Sequence, residues 1–269
     1  MTRNFDLLSW LGAGLLLILL VCGALGYTGV FGDASAFVGA PLQAPSSVHL
    51  FGTDNLGRSI LARTIAGIQQ SVLLSTGAVL IAVLIGTALG MLAGYFRGLV
   101  DELIARLADA LFSFPAIVFA ILISALFRPG AASAIAAVVL VTLPAVIRTV
   151  RAETLVISHR DYVVQARIAG AGPVYALAMH IAPNISGAVI VQTAYSVSFG
   201  MIIESGISFL GLGVQPPGAS LGSLLFEGRP YLPLAPWLVL IPGAVLALTI
   251  LSINLVGDGL KDRFSGGRS

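Results

Sequence analysis

The chain has 269 residues, of which 57% are hydrophobic and 10% charged, with a formal net charge of +2 and a mean hydropathy of +1.00. An ordinary soluble domain carries about 25% charged residues, so this chain has too few to cover a water-facing surface and calls for an apolar solvent. The same numbers exclude a disordered chain, which needs low hydrophobicity and high charge, and a nucleic-acid binder, which needs a basic footprint. The single cysteine, Cys22, excludes an intrachain disulfide and a cysteine-based metal cluster.

A helix needs about 20 apolar residues to cross a bilayer core. Six stretches qualify in chain order: Leu7–Tyr27, Val72–Tyr95, Ala110–Phe127, Ala131–Ile147, Asn184–Leu210 and Pro236–Val256. Long continuous runs point to helices, since a membrane barrel shows short alternating segments. The fold class is therefore an all-α membrane protein with six transmembrane helices. The first run is too long for a secretory signal and has Asp6 in its basic region, so it reads as a retained helix. An even number of spans puts both termini on one side. With the N-terminus inside, inner segments hold ten basic residues (Arg3, Arg97, Arg106, Arg148, Arg151, Arg160, Arg167, Lys261, Arg263 and Arg268) and outer segments four (Arg58, Arg63, Arg128 and Arg229). The positive-inside rule then places both termini in the cytoplasm of a multi-pass protein of the plasma membrane. Residues 1–70 hold the first helix and an outer segment, 71–257 the transmembrane domain with an inner loop at 148–183, and 258–269 a cytoplasmic tail.

The inner loop reads as helix, glycine break, helix. Asp161 suits a helix start, where it can satisfy free backbone N–H groups and meet the positive end of the dipole. Tyr162 to Ala169 makes two turns, and Gly170 can take the left-handed conformation that ends a helix. Pro173 suits the first position of a second short helix, which Pro183 breaks before the fifth span. Such a loop is either a plain connector or a docking element for a cytoplasmic partner, with Ala166, Ala169, Gly170 and Ala171 small enough to enter a groove.

Within the spans, Gly77, Gly86, Gly90 and Gly94 allow close helix packing. Pro115, Pro144 and Pro242 each remove a backbone donor, as shaping kinks or as bending points. Glu102, Arg106 and Asp109 are spaced to pair on one helix face. Glu204 is the one charge in the fifth span, without a basic residue nearby; it either lines a path or bonds a neighbouring subunit. After Gln215, Ser220 can cap a short helix ended by Gly228, in an outer segment that also holds Glu227. No phosphate-binding Gly-Lys-Ser or Gly-Lys-Thr loop, His-Glu-x-x-His pair or Gly-x-Ser-x-Gly elbow occurs, which argues against ATPase or hydrolase chemistry in this chain. A passive channel would show a ring-forming charge or filter-like segment, and neither is seen.

Several segments resemble the permease subunits of binding-protein-dependent ABC importers, in the peptide and nickel branch, and the second of its two permeases. The family's cytoplasmic loop carries Glu-Ala-Ala, three residues and Gly, then His-Ile-Leu-Pro-Asn. Here the line runs Val164-Gln165-Ala166 to Gly170, then His180-Ile181-Ala182-Pro183-Asn184. Gly52-Thr53-Asp54-Asn55-Leu56-Gly57-Arg58, Phe114-Pro115, Ser208 to Pro217, Glu227-Gly228-Arg229 and Asn254 to Leu260 are similar to further family elements, so the resemblance runs from about His49 to Asp262. It implies a type I importer bundle, half of a translocation path shared with a second, homologous permease. It also implies two cytoplasmic ATPase subunits that bind ATP and Mg, an extracytoplasmic solute-binding protein, and no cofactor or metal in this chain. The candidate coupling residues are then Asp161, Tyr162, Ala166, Arg167, Gly170, His180 and Pro183. Candidates for the path or a gate are Glu204, Gln215 and Glu227. The branch carries short peptides, nickel complexes and related solutes. Dedicated metal handling favours His, Cys or Met ligands, and no outer cluster of these exists, which favours a short peptide over nickel.

Overall fold

The computed structural model describes residues 6–265; Arg3 and Arg268, counted above, lie outside them. Among the described residues the chain is helical, with two isolated β-bridges, Phe37 to Arg58 and Thr53 to Ser59, holding the segment between the first two helices. In chain order the helices are α1 Leu7–Gly26, α2 Ile60–Phe96, α3 Gly98–Phe112, α4 Ala116–Leu126, α5 Ala131–Ser158, α6 Asp161–Ile168, α7 Pro173–Phe209, α8 Leu221–Gly228 and α9 Trp237–Ser265. Five are long and apolar enough to cross a membrane, and α3 with α4 make a sixth only if a 90° bend between them is accepted.

The centre of the bundle is α2 against α5. Gly86, Gly90 and Gly94 repeat every four residues and so share one face. A Cβ added at each would lie 2.7, 2.7 and 2.6 Å from Val146, Val150 and Thr154, so the two backbones meet because these residues have none. Gly77 does not belong to this seam: a Cβ there would meet nothing within 4 Å. Around the seam, Ala78, Val79, Ala137, Val138, Ile203 and Ile207 form a core from α2, α5 and α7. Helix α1 lies at the side against α9, where Gly12 approaches Leu255.

Four boundaries differ from the sequence reading. Helix α2 begins at Ile60, twelve residues before Val72, because Ser59 caps it by accepting the Ala62 N–H. The third span, read as one piece from Ala110, is broken at Ser113–Pro115, so Pro115 precedes α4 rather than kinking a helix from within. Helix α5 runs past Ile147 to Ser158, and Pro144 lies inside it. Pro183 breaks nothing: α7 is continuous from Pro173, and the turns at Ala176–Ile181 are the wider π form. A proline in the first turn after that segment lacks only an N–H that such a turn leaves free. The divisions drawn at 70 and 257 fall inside α2 and α9.

Candidate functional site

The loop from Ser158 to Asn184 is a compact structure carried on α5 and α7. Arg160 takes the cap position of α6 in an extended conformation, and Asp161 is the first helical residue. No side chain caps the helix, contrary to the reading of Asp161 as a cap; its carboxylate acts there through the helix dipole. Val163 is fully buried beside Ile157 and Ile181 and pins α6 to the core. Gly170 ends the helix at φ +91°, with the Gly170 N–H on the Arg167 carbonyl at 3.0 Å and the Ala171 N–H on Ala166 at 2.9 Å. A residue with a Cβ is strained in that conformation. Pro173 is the first residue of α7, as expected from its fixed φ.

These turns bring most of the sequence candidates together. The Tyr162 and Tyr175 rings meet His180 edge-on, at 6.2 and 5.6 Å between centroids. The Arg167 guanidinium lies 5.5 Å from the Tyr95 ring at the end of α2. The Asn184 amide donates to the His180 carbonyl at 2.6 Å, and Ala166 is half-buried beneath the glycine turn. Pro183 stands exposed one turn beyond His180. At the outside of the loop Ile168, Val174 and Met179 are 81%, 80% and 62% exposed. Arg160, Asp161 and Arg167 stand exposed around them. Together these residues form an apolar tip with a charged rim. Beside it, a cavity of about 490 Å³ opens between α5, α7 and α9, lined among others by Glu153, Asn184, Gln192, Tyr195 and Lys261.

The other candidates lie at the opposite end of α7. Glu204 is fully buried, and its carboxylate accepts from Ser71 Oγ at 3.1 Å, Ser205 Oγ at 3.3 Å and Ser208 Oγ at 2.8 Å. Ser71 in turn accepts the Leu221 N–H at 3.0 Å, so Glu204 fastens α8 to α2 and α7 within the chain. Ser220 and Ser223 close a capping box at the start of α8, as the sequence reading expects of Ser220. Gln215 is exposed and turned back on its own loop, donating to the carbonyls of Gly211 and Gly213.

Glu227 belongs to a buried ion network that sequence reasoning did not assemble. Its carboxylate takes Arg63 through two bonds, 2.7 and 3.0 Å, and Arg58 at 3.2 Å. Asp54 binds Arg58 Nε at 2.6 Å and Arg63 Nη1 at 2.7 Å. Two acids and two bases cancel. Burial pushes the Asp54 carboxyl up, but the Arg58 and Leu56 N–H groups and the Arg63 and Arg58 guanidiniums outweigh it and hold it below its ordinary value of 3.8. The signal was a charged Arg63 just ahead of an apolar run, which demands a partner. On α3 the Glu102–Arg106 pair forms at 2.5 Å as the spacing suggests, whereas Asp109 pairs with Arg148 of α5 at 2.5 Å. Asp101 holds Arg151. Among the described residues no group of three or more His, Cys, Asp or Glu side chains is placed to hold a metal.

Membrane-length helices packed round an apolar core, with a buried ion network between the α1–α2 segment, α2 and α8 and an apolar tip at the other end, define a multi-pass membrane protein. The chain belongs to the family described as "Binding-protein-dependent transport system inner membrane component", which it matches over residues 86–267, so it is a permease subunit of the inner membrane. Among similar proteins are the glutathione transport system permease protein GsiD of Pectobacterium atrosepticum, 39% identical over 82% of this chain and 73% of that one. The di/tripeptide transport system permease protein DppC of Pseudomonas aeruginosa is 38% identical over 82% and 73%. The dipeptide transport system permease protein DppC of Haemophilus influenzae is 37% identical over 82% and 75%. The resemblance drawn from the motifs is thereby borne out.

Proposed function

We propose that this chain forms half of the route by which an ATP-driven importer brings short peptides into the cell. A second, homologous permease supplies the other half, an extracytoplasmic protein delivers the peptide, and ATP with Mg is bound and hydrolysed on two cytoplasmic ATPase subunits. The observation that carries the coupling role is the exposed tip of Ile168, Val174 and Met179, held on core-anchored α6 and on the same continuous helix that reaches Glu204. A surface of this kind receives a push and passes it to a rigid rod. The ten-to-four distribution of basic residues supports a cytoplasmic position for that tip and for both termini. The names of the relatives support peptides, glutathione being itself a tripeptide. Uptake of radiolabelled di- to tetrapeptides and of nickel, in cells with and without this gene, tests the solute. Unchanged peptide uptake with a fall in nickel accumulation would overturn the peptide assignment. A reporter fused near Asp161 that reads external would overturn the arrangement.

A further inference from the structure

We infer that the cleft between α5, α7 and α9 binds a short peptide in its zwitterionic form, at the end of the bundle where the α5–α7 loop lies. The inference rests on the reading of this chain as half of a peptide importer and adds a place where the carried solute is held. The cleft's volume, about 490 Å³, falls within the range of about 300–1,000 Å³ typical of small-ligand sites.

The floor is α7. Asn184, Ala188, Val191, Gln192 and Tyr195 line the cleft and recur at three- and four-residue spacing, so they share one helix face. Two hydrogen bonds fix the walls to that floor. Thr149 Oγ1 of α5 donates to Gln192 Oε1 at 3.0 Å, and the Tyr195 hydroxyl donates to Asp258 of α9 at 2.6 Å. Gln192 Nε2 donates in turn to Ser196 Oγ at 3.2 Å. Phe264 of α9 closes against Gly187, where an added Cβ would lie 2.8 Å from its ring. The lining is thus held in place by cross-helix contacts, which is what a preformed site needs.

The charges define the ligand. Glu153 lines the α5 wall one turn beyond Thr149, and Lys261 lines the α9 wall one turn beyond Asp258. An acid and a base therefore stand on separate walls. Among the described residues Lys261 forms no ion pair, so it is open to a carboxylate. Asn184 donates its amide to the His180 carbonyl, which leaves its side-chain oxygen as an acceptor for a peptide N–H at the rim. Val191 and Phe264 offer apolar surface to a side chain. An apolar ligand would use neither charge, and a simple anion would be repelled by Glu153, whereas a zwitterion engages both. Glu153 lies five residues before the end of α5 at Ser158, and Lys261 four before the end of α9 at Ser265. Lys261 is one of the ten basic residues that mark the inner side, so the cleft faces the cytoplasm.

The complete transporter without its extracytoplasmic binding protein would be placed in nanodiscs and its binding of radiolabelled Ala-Phe dipeptide measured. N-acetylated and C-amidated Ala-Phe should each compete about tenfold more weakly than the free dipeptide, since each loses one charge-assisted bond. Glu153→Gln should remove the penalty for acetylation, and Lys261→Gln the penalty for amidation. Ser186, exposed at the rim, supplies a readout that leaves both charges intact. In a Cys22→Ser, Ser186→Cys chain, saturating Ala-Phe should slow modification by a charged methanethiosulfonate at least about fivefold, since a bound ligand shields the thiolate. ATP-driven uptake of Ala-Phe would be recorded in proteoliposomes with the binding protein restored. In a transporter that takes up Ala-Phe, three results would each overturn the site and leave the importer reading standing: no binding, binding that leaves Ser186→Cys unprotected, or binding indifferent to both charge variants. Absence of di- to tetrapeptide uptake by the unaltered transporter would instead overturn the importer reading itself.

Discussion

Replacing Glu227 by alanine is expected to destabilise the chain by about 3 kcal/mol. The carboxylate holds Arg63 through two bonds and Arg58 through one, and the Arg63 side chain is 1% exposed. Removing one partner of a buried pair costs about 3–5 kcal/mol because the remaining charge is left without compensation. The Glu227 side chain is itself 22% exposed, and Asp54 still bonds Arg63, so water and the second acid relieve part of the loss and the lower end applies. About 3 kcal/mol lowers the thermal midpoint of the chain in detergent by roughly 6–12 °C. Fluorescence-detected gel filtration after heating reads that midpoint. An Arg63→Ala, Glu227→Ala double variant restores the charge balance and should be more stable than the two single losses added, by about 1–3 kcal/mol. Strict additivity, or a Glu227→Ala midpoint within a degree of the parent, would refute the network as a source of stability.

The same network predicts a pH dependence. Asp54 is held below its ordinary value of 3.8, so its contribution is complete above about pH 4–5 and is lost as pH falls through the lower folded value; Asp54→Asn should flatten the acid limb of midpoint against pH. Gly90→Val should cost about 1–3 kcal/mol by forcing α2 from Val150 and the Ile147 carbonyl, while Gly77→Ala should raise the midpoint, because space is free there and alanine is the better helix former by about 1 kcal/mol. Gly170→Val should cost about 1–2 kcal/mol through its positive φ, leave membrane insertion intact, and abolish peptide uptake and transport-stimulated ATP hydrolysis; full coupling in that variant would refute α6 as the docking helix.

The long helices were legible because apolar runs of membrane length have few other folds available, and the Gly86, Gly90, Gly94 seam was legible because its spacing alone puts the three on one face. Gly77 shows the limit: an identical residue one helix face away packs on nothing, and which face meets a neighbour is a tertiary fact. The α3–α4 elbow was hidden inside an apolar run, where Pro115 reads equally as kink or break. Ser71 lies 133 residues from Glu204, and Asp54 and Glu227 flank almost the whole bundle, so neither cluster has a local pattern. Gly170, by contrast, was readable because its requirement is local: one residue, one backbone conformation.

Helix α7 has a mechanical property that follows from where it is gripped. It runs unbroken for 37 residues, about 55 Å, from the exposed tip at Pro173 to Phe209 beside the Glu204 serines. It is gripped at several points: an added Cβ at Gly187 would lie 2.8 Å from Phe264 of α9, one at Gly200 3.0 Å from both Val138 and Val79, and one at Gly222 of α8 2.5 Å from the Ser205 carbonyl. The grips at Gly187 and Ser205 stand about 27 Å apart along the helix. A rod held at both ends of such a stretch has no single pivot, so α7 shifts as one body with α2, α5, α8 and α9, and any movement of Pro173 is shared by its neighbours instead of being levered about one residue.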